Sequence, residues 1–271
     1  MAHRRGLAVD LYWLPLYTRK MSRSSTWPKE VILVRHGQSA GNVALEAAEA
    51  AGASFIDIAE RDVDVPLSPL GERQAHALGE WLKDLPEKPT VVLASPYVRA
   101  QETARIAVEA MGGGVEIVFD ERLREREFGI VDRLTRKGIH EKYPEQAEFH
   151  KRLKKFYYRA PGGESWCDVI LRLRSVQDSL ARDYAGERVM IVCHTVVIYC
   201  FRYLFEKMTE SEILEIDRTA NLANCSVTSY RHDPSLPSAG ALVLNKFNFT
   251  APLREAGEKV TVKPDAPAGP K

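Results

Sequence analysis

Short apolar runs without internal alternation recur along this chain and are separated by longer segments of mixed polarity. Four runs rich in Val, Ile and Leu occupy residues 31–34, 90–94, 115–119 and 188–193. Uninterrupted apolar runs of this length are typical of parallel strands whose two faces are both covered. We therefore predict four strands of a buried, parallel sheet.

Segments with helical periodicity lie between and after these strands. Helices are predicted over residues 41–51, 69–85, 97–111, 166–184 and 195–208. Two Ser-Pro pairs mark helix starts, because each combines an N-cap residue with a proline at the first helical position. Ser68-Pro69 begins the second of these helices, and Ser95-Pro96 begins the third.

Two further runs, residues 225–231 and 241–249, add a final pair of strands. The alternation of strands and helices predicts an α/β fold, a three-layer αβα sandwich with a mostly parallel central sheet. Residues 124–161 interrupt this pattern, because they are highly charged, rich in aromatic residues and without a strand-like run. We predict that they form a helical lid insertion over the carboxyl edge of the sheet, where the substrate would be selected.

The two ends of the chain differ from the domain predicted over residues 29–249. In residues 1–28, Asp10 and Pro15 interrupt an apolar stretch that follows basic residues, so the segment makes a poor signal peptide. A disordered extension, or a true start at Met21, accounts better for it. Pro and Ala recur in residues 250–271, which predicts a disordered tail.

The overall charge is close to balanced, with 38 Lys and Arg against 37 Asp and Glu among 271 residues. This balance indicates no nucleic-acid partner and no membrane partner, and no apolar stretch is long enough to span a bilayer. The four cysteines lack the spacing of metal ligands. They are interpreted as reduced thiols of a cytoplasmic protein.

Arg35-His36-Gly37 directly follows the first predicted strand. In open α/β sheets, ligands bind at the carboxyl ends of the strands. Histidine can act as a nucleophile and form a covalent intermediate, and the planar guanidinium of arginine matches the oxygens of a phosphate. The tripeptide therefore suggests a histidine that receives a phosphoryl group.

Other segments bring suitable groups to the same edge of the sheet. His194 follows the fourth strand, and Arg99 lies in the first turn of the third helix, where the helix dipole favours an anion. Glu125, after the third strand, supplies a carboxylate. Three polar side chains that can face a ligand follow the first histidine closely: Gln38, Ser39 and Asn42.

These residues belong to five motifs that together resemble the histidine phosphatase superfamily, and more closely its phosphoglycerate mutase-like branch. The motifs follow the family's order over residues 29–249: VRHGQSAGN from Val34, SPYVRAQETA from Ser95, LREREFG from Leu123, PGGES from Pro161 and VCH from Val192. Any one of them is weak evidence. Five in order make a specific signal.

The resemblance implies a role for each of these residues. His36 attacks phosphorus through an unprotonated ring nitrogen, while Arg35, Arg99 and His194 hold the phosphoryl oxygens. Glu125 protonates the leaving alkoxide and then acts as base for water. Two amides are implied to contact the phosphoryl group or the rest of the substrate: Asn42 and, less directly, Gln38. The resemblance implies neither a metal nor another cofactor.

Two assignments stay open at this point. Glu127 competes with Glu125 for the role of general acid, although the spacing Leu-x-Glu-x-x-Phe-Gly favours Glu125. Glu164, in the PGGES motif, either orients the site or caps the helix that follows it.

The predicted function is a metal-independent phosphomonoesterase of the histidine acid phosphatase type, acting on a small soluble phosphate ester. A phosphoglycerate mutase is the alternative, but the basic pair with which mutases grip the substrate carboxylate has no Arg-Arg counterpart here. The stretch in question is Lys154-Lys155-Phe156-Tyr157-Tyr158-Arg159. A non-catalytic phosphate-binding module is a further alternative. The sequence leaves open which ester is the substrate, and it leaves open the oligomeric state, a homo-oligomer included.

Overall fold

The computed structural model describes residues 27–236 and 241–264. Within them, six strands form one sheet in the order β3-β2-β4-β1-β5-β6. The strands are β1 (Glu30–Arg35), β2 (Val91–Ala94), β3 (Ile117–Phe119), β4 (Arg188–Cys193), β5 (Val227–Asp233) and β6 (Ala241–Phe249). Strands β3, β2, β4 and β1 run parallel to one another. Strands β5 and β6 are antiparallel and extend the sheet beyond β1.

Helices cover both faces of this sheet. In chain order they are α1 (Ala40–Ala50), α2 (Pro69–Lys83), α3 (Val98–Ala110), α4 (Arg136–Lys142), α5 (Pro144–Tyr157), α6 (Trp166–Asp183), α7 (Thr195–Phe205), α8 (Glu210–Thr219) and α9 (Ala251–Glu255). Alternate residues of β1 separate the two main cores. Val31 and Leu33 pack with residues of α6 and α7, whereas Ile32 and Val34 pack with residues of α2 and α3. The predicted three-layer α/β fold is confirmed.

The predicted lid contains α4 and α5 and has a small apolar core of its own. Phe128, Leu134, Ile139 and Tyr158 are among the buried members of that core. An ion pair joins the lid to α8, with Lys155 Nζ and Asp217 Oδ2 2.5 Å apart. Helices α4 and α5 therefore form a helical unit attached to the main domain.

The C-terminal segment differs from the disorder predicted from Thr250 onward. Residues 251–255 form α9, and Leu253 is fully buried in the core beside α2. Residues 258–264, which we call the strap, continue from α9, and Gln74 Nε2 of α2 donates to Lys259 O at 2.8 Å. The Pro and Ala content misled the prediction because a few well-placed residues, such as Leu253, suffice to dock the segment. Residues 265–271 lie outside the described residues.

The N-terminal boundary also shifts slightly. Trp27 packs edge-on against Phe205 with ring centroids 6.5 Å apart, and Trp27 O accepts a hydrogen bond from Gly186 N at 3.0 Å. Trp27 therefore belongs to the folded domain and not to the predicted extension. Residues 1–26 of that extension lie outside the described residues.

Candidate active site

Two histidines meet at the carboxyl edge of the sheet because β1 and β4 are parallel neighbours in matched register. Arg35 is paired with Cys193, so that His36 and His194 leave the two strands at the same level. Both imidazoles are fully buried, and their ring centroids are 5.1 Å apart. The structure thus brings together two histidines that lie far apart in the sequence.

The orientation of the His36 ring is fixed by its own turn. Nδ1 lies 2.7 Å from Gly37 O, and because a carbonyl oxygen can only accept, Nδ1 carries the proton. In the neutral ring the lone pair is then on Nε2. Position 37 requires glycine, since a Cβ there would lie 2.5 Å from Gly71 O in the first turn of α2. Close packing of the turn against α2 therefore sets the ring.

His194 contacts two residues that follow the neighbouring strand β2. Its Nε2 lies 2.8 Å from Ser95 Oγ, and the ring of Tyr97 packs edge-on against it at 5.2 Å. The prediction that Ser95 caps α3 is wrong. Tyr97 occupies the N-cap position and makes no side-chain cap, while the Ser95 hydroxyl faces the histidine. Ser68, in contrast, caps α2 as predicted by accepting from Gly71 N at 3.1 Å.

Arg99 lies in the first turn of α3 and is almost completely buried. Its Nη1 donates to Asp62 O at 2.6 Å and lies 3.0 Å from Asp62 Oδ1. The guanidinium also stacks over the ring of Tyr97, 4.9 Å from the centroid. Asp62 comes from the long loop between α1 and α2, and nothing in the sequence of that loop marked it as a partner of Arg99.

Arg35 and Asn42 both donate hydrogen bonds to backbone carbonyl oxygens at the end of the strap. Arg35 Nη1 donates to Leu222 O at 2.7 Å, and Nη2 donates to Lys263 O. Asn42 Nδ2 donates to Pro264 O at 3.0 Å and to Lys263 O at 3.3 Å. Donors that the sequence assigned to a phosphoryl group thus contact the chain's own C-terminal segment.

Gln38, the second predicted binding amide, is directed at α2. Its Oε1 accepts from the hydroxyl of Ser68 at 2.8 Å, and its backbone N donates to Gln74 Oε1 at 2.9 Å. These contacts tie the turn after His36 to the start of α2. The structure therefore gives Gln38 a positioning contact beside its predicted role toward the ligand.

Burial separates the two candidate acids. Glu125 follows β3 and is 1% exposed, with Oε1 accepting from the backbone N of Arg126 at 2.7 Å. Glu127 is exposed, and its Oε1 accepts from the Tyr97 hydroxyl at 2.9 Å. A carboxyl group shielded from water suits proton transfer better than a solvated one. The geometry favours Glu125.

Glu164 binds the loop that carries Glu125. Its Oε1 accepts from Arg124 Nη2 at 2.8 Å and from Arg172 Nε at 3.0 Å, while Arg172 Nη2 donates to Glu125 O at 3.2 Å. Ser165 caps α6 instead, through a capping box with Asp168. These contacts support the interpretation that Glu164 orients the site and does not cap the helix.

Arg126, within the motif LREREFG, is a buried cation. It is 7% exposed, its guanidinium lies 4.7 Å from the centroid of Phe128, and burial lowers its pKa. Its Nε has no hydrogen-bond partner among the described residues. A buried guanidinium without full pairing is costly unless an anion joins it. The alternating charges of residues 124–127 gave no signal of this burial.

Arg35, Arg99 and Arg126 thus place three buried guanidinium groups at or beside this edge of the sheet. Within residues 27–236 and 241–264, no group of three or more His, Cys, Asp or Glu side chains could hold a metal ion. No helix of the same residues is long and apolar enough to cross a membrane. The chemistry open to this edge is anion binding combined with proton transfer and nucleophilic attack.

Comparisons with known proteins find relatives that cover most of this chain. A probable phosphoglycerate mutase (GpmB) of Yersinia enterocolitica is 29% identical over 226 residues, which cover 83% of this chain and 94% of the relative. A 2,3-bisphosphoglycerate-dependent phosphoglycerate mutase of Methylorubrum extorquens is 30% identical over 190 residues, or 69% of this chain and 84% of the relative.

Among solved structures, a mycobacterial glucosyl-3-phosphoglycerate phosphatase in complex with VO3 superposes with a TM-score of 0.63 at 25% identity. The match covers 82% of this chain and 99% of that chain. The family model of the histidine phosphatase superfamily (branch 1) matches residues 31–243. The resemblance read from the five motifs is confirmed, and the chain belongs to the histidine phosphatase superfamily, branch 1.

Proposed function

We propose that the protein hydrolyses small phosphate monoesters through a phosphohistidine intermediate on His36. The observation that carries this proposal is the pair of buried imidazoles 5.1 Å apart at adjacent strand ends. The Nδ1 proton of His36 is held on Gly37 O, which leaves the Nε2 lone pair for attack on phosphorus. A histidine with only a packing role would not need a fixed tautomer in a buried, arginine-rich edge.

In the first step, Nε2 of His36 forms a bond to phosphorus while the ester P–O bond breaks. Glu125 gives its proton to the leaving alkoxide, so the alcohol departs neutral. In the second step, Glu125 takes a proton from water, and the resulting hydroxide attacks phosphorus. The P–N bond then breaks, inorganic phosphate leaves, and both residues return to their starting protonation states.

Arg35, Arg99 and His194 supply the positive charge for these steps. Phosphoryl transfer depends mainly on positioning and on electrostatic stabilisation of the phosphoryl oxygens. The Asp62 contacts of Arg99 and the Ser95 contact of His194 fix these groups before substrate arrives. Such preorganised charge costs little reorganisation during reaction.

Arg126 supports a substrate with a second anionic group beside its phosphate. It follows Glu125 directly and is buried, and the ring of Phe128 is its aromatic neighbour. The names of the relatives described above all include phosphoglycerate, an ester that carries both a phosphate and a carboxylate. We therefore place phosphorylated acids first among the candidate substrates.

A phosphoglycerate mutase is the second candidate, favoured by the two curated relatives at 29% and 30% identity. The state of Lys155 in the lid supports hydrolysis instead. Lys155, in the stretch that stands where mutases carry a basic pair, is bound to Asp217 at 2.5 Å. Burial lowers the pKa of Lys155, and its partner already satisfies the charge.

One experiment separates the candidates. Purified protein with excess EDTA is incubated with p-nitrophenyl phosphate and with 3-phosphoglycerate, the latter with and without 2,3-bisphosphoglycerate. We expect release of inorganic phosphate that His36→Ala lowers by about a thousandfold or more. The control His76→Ala changes an exposed histidine of α2 and retains activity.

Faster formation of 2-phosphoglycerate than of inorganic phosphate would instead establish the mutase. Equal phosphate release by wild type and His36→Ala would overturn both enzymatic candidates.

A further inference from the structure

A cavity of about 180 Å³ lies at the amino ends of the parallel strands, at the end of the sheet away from the two histidines. Its lining fixes this position, because Glu30 begins β1 and Arg188 begins β4. Arg231, which also lines it, is paired with Glu30 across β5 and β1. Among the described residues that line the cavity, none is assigned to the phosphoryl group. The cavity is therefore separate from the candidate active site.

Part of the cavity lining is apolar. Ile32 of β1 and Val227 of β5 are buried members of the sheet, while Trp81 and Leu85 come from the end of α2 and the turn that follows it. The Trp81 ring packs against Phe249 of β6 with ring centroids 5.8 Å apart. An apolar cavity of about 150 Å³ holds one benzene molecule. The volume here therefore accommodates one six-membered ring, and the indole of Trp81 favours an aromatic one.

The charges around the cavity leave one lysine unbalanced. Arg188 pairs with both carboxylates of the lining, with that of Glu30 and, at 2.6 Å, with that of Glu87. The half-buried Lys246 of β6 has its ammonium 4.6 Å from the centroid of Phe249, and it has no ion pair among the described residues. An anion is the ligand that such an ammonium favours.

A hydroxyl group lies beside this ammonium. Ser229 and Lys246 are paired across β5 and β6, and both line the cavity. Ser229 Oγ accepts a hydrogen bond from Asn245 Nδ2 at 3.2 Å, which leaves the hydroxyl proton of Ser229 to be donated elsewhere. An ammonium and a hydroxyl donor on neighbouring strands match the two oxygens of a carboxylate.

We propose that this cavity binds a small aromatic carboxylate, with its ring among Ile32, Trp81 and Leu85 and its carboxylate on Lys246 and Ser229. The binding is non-covalent. It does not depend on the proposed function, because the cavity shares no residue with the phosphoryl-binding edge. Benzoate is the simplest ligand of this chemistry, and for a molecule of its size we expect a dissociation constant of about 1 mM.

The test is an NMR titration of protein labelled with nitrogen-15 tryptophan, in which Trp81→Phe identifies the Trp81 indole signal. Benzoate should shift this signal with a dissociation constant of about 1 mM, while the signals of Trp27 and Trp166 stay in place. Benzyl alcohol lacks the anion and benzylamine reverses the charge, so both should bind about tenfold more weakly. An unmoved Trp81 signal at about 50 mM benzoate, or equal affinity for all three ligands, would overturn the proposal.

Variants of Lys246 test the carboxylate position. Lys246→Met keeps the apolar stem of the side chain, and it should weaken benzoate binding about tenfold while leaving benzyl alcohol unchanged. Lys246→Glu should reverse the preference, so that benzylamine binds more tightly than benzoate. Lys151→Met is the matched control and should keep the wild-type affinity, because Lys151 is an exposed lysine of α5 that does not line the cavity. Wild-type benzoate affinity in Lys246→Met would contradict the proposed site.

Orthovanadate distinguishes this cavity from the active site, since a phosphate analogue occupies the phosphoryl-binding residues. Benzoate should shift the Trp81 signal equally with and without saturating orthovanadate. Loss of the shift in its presence would place benzoate at the active site and overturn the proposal. Because the titration needs no turnover, its result stands whether or not the protein hydrolyses phosphate esters.

Discussion

Arginines at the two ends of the parallel strands have different surroundings. At the amino end, Arg188 of β4 pairs with Glu30 of β1 and, at 2.6 Å, with Glu87. At the carboxyl end, Arg35 directly precedes His36 and donates to the carbonyl oxygens of Leu222 and Lys263, while Arg99 is paired with Asp62. Because the Arg188 pairs lie at the end of the strands away from the two histidines, we expect them to contribute to stability. Because Arg35 and Arg99 lie at the same edge as the two histidines, we expect them to bind an anion.

Replacing one arginine at each end tests whether the two ends have different roles. We expect Arg35→Met to lower kcat/KM by about a thousandfold per folded molecule, because a charged donor to the phosphoryl group is lost. Arg188→Met should leave kcat/KM nearly unchanged but lower the free energy of unfolding by about 3 kcal/mol, because buried Glu30 loses its closest partner. Kinetics and urea unfolding of both variants provide the check. Similar kinetic losses in the two variants would show that the ends do not differ.

Glu125 and Glu127 allow the same comparison within the carboxyl edge. Glu125→Gln should lower kcat by about a hundredfold for an alkyl phosphate, because the leaving alkoxide must be protonated. The loss should be smaller for p-nitrophenyl phosphate, whose leaving group needs less protonation. Glu127→Gln, which changes an exposed carboxylate, should retain most activity on both esters. A larger loss in Glu127→Gln would reassign the general acid.

Ser95 tests whether the positions of the charged groups matter as much as their presence. Ser95→Ala removes the hydroxyl 2.8 Å from His194 Nε2, and we expect kcat to fall by about tenfold, the value of one hydrogen bond. Thr90→Ala, just before the other end of the same strand, is the control and should leave kcat unchanged. An unchanged kcat in Ser95→Ala would show that His194 is fixed by packing alone.

His150 affects stability, with no change in kcat expected, and reports on the positive charge of the lid. Burial, together with Arg126 and Lys155 and then Arg136 and Lys154, lowers its pKa from 6.5 to about 4. In the unfolded chain His150 therefore binds a proton below about pH 6.5, whereas in the folded protein it does so only below about pH 4. Stability should fall across that interval, by about 2 kcal/mol at pH 5.

The measurement is urea unfolding of wild type and His150→Gln at pH 7.5 and pH 5. The variant should lose less stability than wild type between the two pH values, whatever its stability at pH 7.5. The exposed His140 of α4 provides the control, since His140→Gln should keep the wild-type difference. Equal pH dependence in all three proteins would contradict a buried, neutral His150.

Sequence patterns predicted those parts of the molecule in which local signals and tertiary contacts agree. The apolar runs identify the strands because covered parallel strands need continuous apolar residues. The two histidines could be placed together because both follow such runs. The prediction that Ser95 caps α3 is wrong because Ser-Pro is a general helix-start signal. Only the packed structure shows that the Ser95 hydroxyl lies next to His194.

The remaining features depend on contacts between distant segments. Nothing local marks Asp62 as the partner of Arg99, or Arg126 as buried, because exposed charged runs have the same composition. The strap was predicted to be disordered from its Pro and Ala content, although Leu253 and Thr261 dock it. Such features follow from the shape of the assembled core, which single-sequence patterns do not contain.

Direct detection of the phosphoenzyme tests the central claim of this account. Wild-type enzyme is mixed rapidly with excess p-nitrophenyl phosphate, quenched in alkali, which preserves phosphohistidine, and digested for mass spectrometry. The account predicts one phosphoryl group on the peptide that contains His36 and none on the peptide that contains His194. Steady release of inorganic phosphate without a modified His36 peptide at any quench time, or with the phosphoryl group on another residue, would contradict it.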